Sequence, residues 1–131
     1  FYREVGCREQ DSPAWNRVEN HLGGFEPLDE MFLSCLQEIV SICRDMDVVV
    51  VLVSFPVSED YSALAERYIP IKYLAASLDQ ILDQEHVIYL NYTELLEERQ
   101  NYFHNTDHVN VKGANAVTMT LWKDLVISGI L

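Results

Sequence analysis

The chain is poor in positive charge: nine Lys and Arg stand against 21 Asp and Glu, for a formal net charge of −12 at pH 7. A phosphate backbone or an anionic membrane surface is held by clustered Lys and Arg. The nine here are scattered, which excludes nucleic acid as a partner. Long apolar runs are lacking too. The longest, Val48 to Val53, falls far short of the roughly 20 residues that span a bilayer. No membrane segment is expected, and no basic start leads into an apolar stretch as in a signal peptide. Cysteine is scarce and odd in number, and Cys7, Cys35 and Cys43 form no C-x-x-C pair. Cys35 and Cys43 lie about two turns apart in a helix-periodic stretch and are expected as reduced core residues. So few cysteines leave the compartment open between cytoplasm and the soluble part of an exported, anchored protein.

What is present fits one globular domain. The 131 residues are 49% hydrophobic and 23% charged, enough chain to bury roughly two thirds of its unfolded surface. The sequence opens on Phe1 rather than Met, so the expectation is a processed form or a piece of something longer. Residues 1–26, punctuated by Gly6, Pro13, Gly23 and Gly24, read as an irregular N-terminal arm with a short helix near Ala14 to Leu22. Residues 27–131 read as the C-terminal part of an α/β domain.

Within that part, Leu28, Met31, Phe32, Cys35, Leu36, Ile39, Val40 and Cys43 recur at helical spacing and predict a helix from about Pro27 to Met46. The unbroken run Val48–Val53 then predicts a strand buried on both faces of a parallel sheet. A short helix over Ser58–Tyr68 and another from Pro70 follow. A second buried strand is expected at His86–Leu90, then a short helix over Tyr92–Gln100. A loop over Asn101–Asn110 leads into a last helix whose buried face is expected to carry Ala114, Val117, Leu121, Leu125 and Val126. Alternating helices and strands indicate a layered α/β fold with a parallel sheet. Two strands are too few for such a sheet, which usually has about four to six. Further strands are expected from a missing N-terminal part, with residues 1–6 or a second copy as the alternatives, and an exposed strand edge would suit a homodimer.

Parallel sheets bind ligands beyond the carboxyl ends of their strands. Ser54-Phe55-Pro56, Asn91-Tyr92-Thr93 and the loop His104–Asn110 should gather there. His108 precedes the last helix, with Asn110 a candidate N-cap and Gly113 in the first turn. The positive end of the helix dipole favours the neutral imidazole that a general base requires. The plainer reading of His108 is a loop histidine packed on the helix start. A metal site built from His104, Asp107 and His108 is a weaker reading, since no fourth ligand is evident. Glu94, Glu97 and Glu98 suit a solvated helix face, and His21 and His86 suit structural roles. Tyr89, Tyr92, Tyr102 and Phe103 suit either sheet-edge packing or the wall of an acyl or sugar pocket.

Asp107-His108-Val109-Asn110-Val111-Lys112-Gly113-Ala114 resembles the last motif block of the SGNH (GDSL-type) hydrolases and acyltransferases, in the branch reading Asp-x-Asp-His-Leu-Asn-x-x-Gly-Ala. The order of elements over about residues 28–128 is also similar. The resemblance implies a three-layer α/β/α domain, incomplete in this chain, with esterase or O-acyltransferase activity and no cofactor or metal. It implies that His108 is the base and that Asn110 and Gly113 shape the turn into the last helix. Asn105 occupies the position of the family's triad aspartate and carries no charge, so Asp107 is the candidate substitute. No Gly-Asp-Ser and no Gly-x-Asn-Asp block occurs, so the nucleophile is expected outside this chain. Ser54, which has no glycine beside it for a sharp nucleophile turn, is counted with Asn91, Tyr92 and Asn110 on the substrate side. The implied substrate is a small-molecule or glycan acyl ester. The alternative is a non-catalytic module of the same fold, used for binding or scaffolding.

Overall fold

In a computed structural model of the chain, the structure describes residues 12–23, 30–68, 78–79, 81 and 86–131. Its elements are α1 (Pro13–Leu22), α2 (Glu30–Asp45), β1 (Val50–Ser54), α3 (Glu59–Tyr68), β2 (Val87–Asn91), a 3₁₀ turn (Gln100–Tyr102), β3 (Phe103–Asn105), β4 (His108–Val109) and α4 (Val111–Ile127). This is a mixed α/β chain. Most of the helix expected from Pro70 lies outside the described residues, as do Pro27, Leu28 and Cys7.

The β-branched run forms β1, and β2 pairs with it in parallel from Val50↔Val87 to Ser54↔Asn91. Both strands start later than the apolar runs suggest. The residues before them, Asp47 (φ 57°) and His86 (φ 73°), take the left-handed conformation that few non-glycine residues adopt. His86 turns its ring to the Asp47 carboxylate (3.3 Å), and its carbonyl accepts from Val50 N–H at 2.7 Å. His86 therefore shapes the amino end of the sheet, remote from its carboxyl edge.

Two apolar clusters hold the described residues together. Ala14 and Val18 of α1 meet Leu64 of α3, with Trp15, Tyr61 and Tyr68 around them. Ser12 starts α1 by accepting from Trp15 N–H (3.0 Å), with Pro13 at the first helical position. The second cluster joins Tyr92, Leu96 and Val117, flanked by Val53, Leu90, Tyr102 and Phe103.

Three expectations are corrected. Residues 93–98 form successive turns, with Leu95, Glu97 and Arg99 N–H each bonded to the carbonyl three residues back. The Asn91 side chain starts this pattern by accepting from Thr93 N–H and Oγ–H, which competes with a helix. The expected loop over Asn101–Asn110 is a 3₁₀ turn followed by a small antiparallel hairpin, β3–β4. Cys35 is exposed and Cys43 half-buried, and both are free thiols. The cause is that α2 is apolar on two faces. Val40 is buried, while Met31, Phe32, Ile39 and Ile42 on other sides of the helix are more than half exposed. No helix among the described residues is long and apolar enough to cross a membrane.

Candidate functional site

The three segments at the carboxyl edge are tied together by backbone bonds. Tyr92 N–H donates to the Ser54 carbonyl (2.9 Å), Val57 N–H to Thr93 (3.3 Å) and Ser58 N–H to Thr106 (2.8 Å). The hairpin β3–β4 thus stands against the loop after β1, with His108 on its second strand.

Asn110 ends the hairpin and starts α4. Its Oδ1 accepts from Lys112 N–H (2.9 Å) and Gly113 N–H (3.2 Å), while its Nδ2 donates to the carbonyls of Asn101 and Phe103. The side chain is thereby occupied in building the turn. Gly113 follows from the same crowding. A Cβ there would lie 2.3 Å from the Tyr102 carbonyl oxygen and 2.8 Å from Val109 Cβ.

Around the His108 ring, polar groups converge on one nitrogen, Nδ1. Asn105 Oδ1 accepts from the backbone N–H of His108 (2.9 Å) and of Asp107 (3.3 Å). Those two donors identify the atom as oxygen rather than amide nitrogen. The same oxygen lies 3.0 Å from His108 Nδ1, and Asp107 Oδ2 lies 3.2 Å from it. Nδ1 therefore faces two acceptors, an arrangement that suits hydrogen on Nδ1. Arg17 Nη2 donates to Asp107 Oδ2 at 2.7 Å and is also 3.2 Å from Nδ1, where its second hydrogen would meet the other tautomer. With hydrogen on Nδ1, a neutral ring leaves Nε2 bare, the form a general base needs. The His108 side chain is 61% exposed. It borders an open groove of about 510 Å³ with His104, Asn105, Val109, Asn110 and Val111.

Asp107 is the opposite case, with its side chain only 8% exposed. A carboxylate so placed needs a partner. Arg17 of α1 supplies it, with Nε on Oδ1 and Nη2 on Oδ2. Burial pushes the Asp107 carboxyl up. The Arg17 hydrogen bond, with the charges of His108, Arg17 and His21, outweighs burial and holds it below its ordinary 3.8. The bond to Asp107 likewise raises the Arg17 guanidinium. His21, one helical turn after Arg17, places Nδ1 3.8 Å from Asp107 Oδ2 and 3.1 Å from the Tyr61 hydroxyl. Burial, and then the Asp107 charge, push the Tyr61 phenol up.

Asp107 and His108 come together although neighbours on an extended chain point apart, because residues 106–107 form the hairpin's turn. Ser54 Oγ is bonded to the Tyr89 hydroxyl (2.7 Å). Asn91 is engaged with Thr93. Tyr92 is 6% exposed and belongs to the second apolar cluster, so it packs the core rather than lining the groove. Its hydroxyl donates to Asp124 at 2.5 Å, and burial with that bond pushes the phenol to about 12. No serine among the described residues is bonded to His108. No three His, Cys, Asp or Glu among them are grouped to hold a metal ion.

Arg17 and Tyr61 were not singled out by sequence reasoning, and His21 was read only as structural. Arg17 and His21 lie four apart in the short α1 and share a face, but nothing in the pattern says what that face meets. Comparison of the chain with protein-family models, with curated proteins and with solved structures gives no match.

Proposed function

We propose that the chain is part of an SGNH-like α/β/α domain in which His108 acts as general base for ester hydrolysis or O-acyl transfer. The observation that carries this reading is the contact between Asn105 Oδ1 and His108 Nδ1 at 3.0 Å. The residue three positions before the histidine orients the ring, as the resemblance implies for the triad aspartate. An amide oxygen gives the orientation without the charge. Asp107, beside the same nitrogen, supplies a carboxylate, and its negative charge favours the imidazolium formed when Nε2 takes a proton. The serine hydroxyl that donates this proton comes from outside the described residues, as do the further strands of the sheet. After attack on the acyl carbon, the imidazolium returns its proton to the leaving alkoxide.

The test is labelling of the longest natural polypeptide containing these residues with a fluorophosphonate probe, read by intact mass. The expected result is a single adduct, abolished by His108→Ala. Asn105→Asp, which adds the missing charge beside Nδ1, should label about tenfold faster. An unlabelled protein, with a known serine hydrolase labelled alongside, would overturn the enzyme reading. Labelling of the 131-residue chain by itself would place the nucleophile inside it, with Ser54 the first serine to examine.

The non-catalytic alternative is favoured by one observation. The only charged partner of His108 among the described carboxylates is already engaged by Arg17. In that reading the same cluster serves to hold the hairpin against α1.

A further inference from the structure

We infer that Arg17 of α1 is the positioning residue of this site, acting on His108 through Asp107. The inference rests on the reading of His108 as a base, but its test does not use activity. β4 has two residues and β3 three, with a register irregularity between Phe103 and Asn105. A two-stranded ribbon of this length does not hold its own geometry in water. Its tip is therefore fixed by contacts from outside, and these are few. Backbone contributes the Ser58 N–H bond to Thr106. Among the described side chains, Arg17 contributes its bond to Asp107, 90 positions away in sequence, and lies 3.2 Å from His108 Nδ1, while His21 lies 3.8 Å from Asp107.

A guanidinium suits this role because Nη2 donates to Oδ2 while Nε lies in ion-pair contact with Oδ1, so the charge and one directed bond act on the same carboxylate. Asp107 then brings one oxygen to the ring nitrogen it shares with Asn105. The base of this side chain is itself firm. Val18, next to Arg17, is completely buried, and it packs with Ala14 on Leu64 of α3. The buried apolar members of the α1–α3 contact remain in Arg17→Ala, so the substitution frees the hairpin tip with Ala14, Val18 and Leu64 still in place. His21 lies 3.8 Å from the same Oδ2 and contacts Tyr61, but neither is hydrogen-bonded to the carboxylate.

The experiment is ¹⁵N NMR of the imidazole in the full 131-residue chain, with amide exchange followed at Asp107 and His108. In Arg17→Ala, the His108 ring should pass from the Nδ1–H form to a mixture of both tautomers. Its amide should exchange about fivefold to tenfold faster, as expected for loss of one hydrogen bond's worth of protection. Arg17→Lys should lie between the two, since it restores charge but not the directed bond. Asp107→Asn should give the same loosening by removing the other half of the pair. Unchanged ring signals and exchange in Arg17→Ala and in Asp107→Asn, with α1 amides still protected, would overturn the inference. A shift in tautomer without fluorophosphonate labelling would leave the positioning role standing and remove only the acyl-transfer reading.

Discussion

The two apolar clusters among the described residues do different work for the same hairpin. The Tyr92–Leu96–Val117 cluster reaches the hairpin by packing, through Phe103, Val109 and the close approach of Gly113 to the Tyr102 carbonyl. The Ala14–Val18–Leu64 cluster has no hairpin residue among its apolar members. Its two helices reach the hairpin tip through polar groups, Arg17 and more distantly His21 on the buried Asp107, beside the Ser58 N–H bond to Thr106. Packing determines where the hairpin lies, and the ion pair determines where its tip points. A histidine beside that tip thus depends on two regions that meet chiefly through polar bonds. Substitutions in the packed region should cost stability, and those in the polar link should cost orientation.

Breaking the packed side gives the largest expected effect. Gly113→Ala would place a methyl group against backbone at Tyr102, and the overpacking should cost about 3 kcal/mol, more than the roughly 1 kcal/mol gained in helix propensity. The urea midpoint should fall accordingly. Val117→Ala and Val18→Ala remove comparable buried groups, one from each cluster, and should each cost about 2 kcal/mol. They separate in hydrogen exchange. Val117→Ala should loosen α4 and the hairpin, whereas Val18→Ala should loosen α1 and α3 first.

Tyr92→Phe is milder, about 1 kcal/mol at neutral pH from the lost bond to Asp124. It also has a pH signature. The folded phenol, raised to about 12 from 10, favours the neutral form, so its contribution is full below pH 10 and lost as pH rises through 12. The variant should lack that alkaline loss. The smallest effect on stability is expected in acid. Asp107 is held below 3.8, so its contribution is present above that pH and lost as pH falls through the lowered value. Asp107→Asn should flatten this part of an acid titration followed by circular dichroism.

Much of the fold was legible where periodicity was strong. The β-branched run before Ser54 becomes β1, and the apolar spacing after Asn110 becomes α4 with Asn110 as its cap. Helix and turn were confused over residues 92–100 because the Asn91 side chain captures the first donor, a local bond that apolar periodicity does not register. The hairpin was hidden because its strands are too short to show alternation. At the site, His108 was singled out by its place before a capped helix, and Asn105 and Asp107 by what the resemblance implies for the residues before it. Arg17 was not, since a single Arg on a short helix looks the same whether it faces solvent or a buried carboxylate. Its role exists only once Asp107 is known to be buried.

The most direct measurement is the tautomer of His108 in the wild-type chain, read from its two ring ¹⁵N shifts at a pH where the ring is neutral. The account predicts hydrogen on Nδ1, facing Asn105 and Asp107, and a bare Nε2. Hydrogen on Nε2, with Nδ1 accepting from Arg17, would contradict it and leave His108 unable to act as the base.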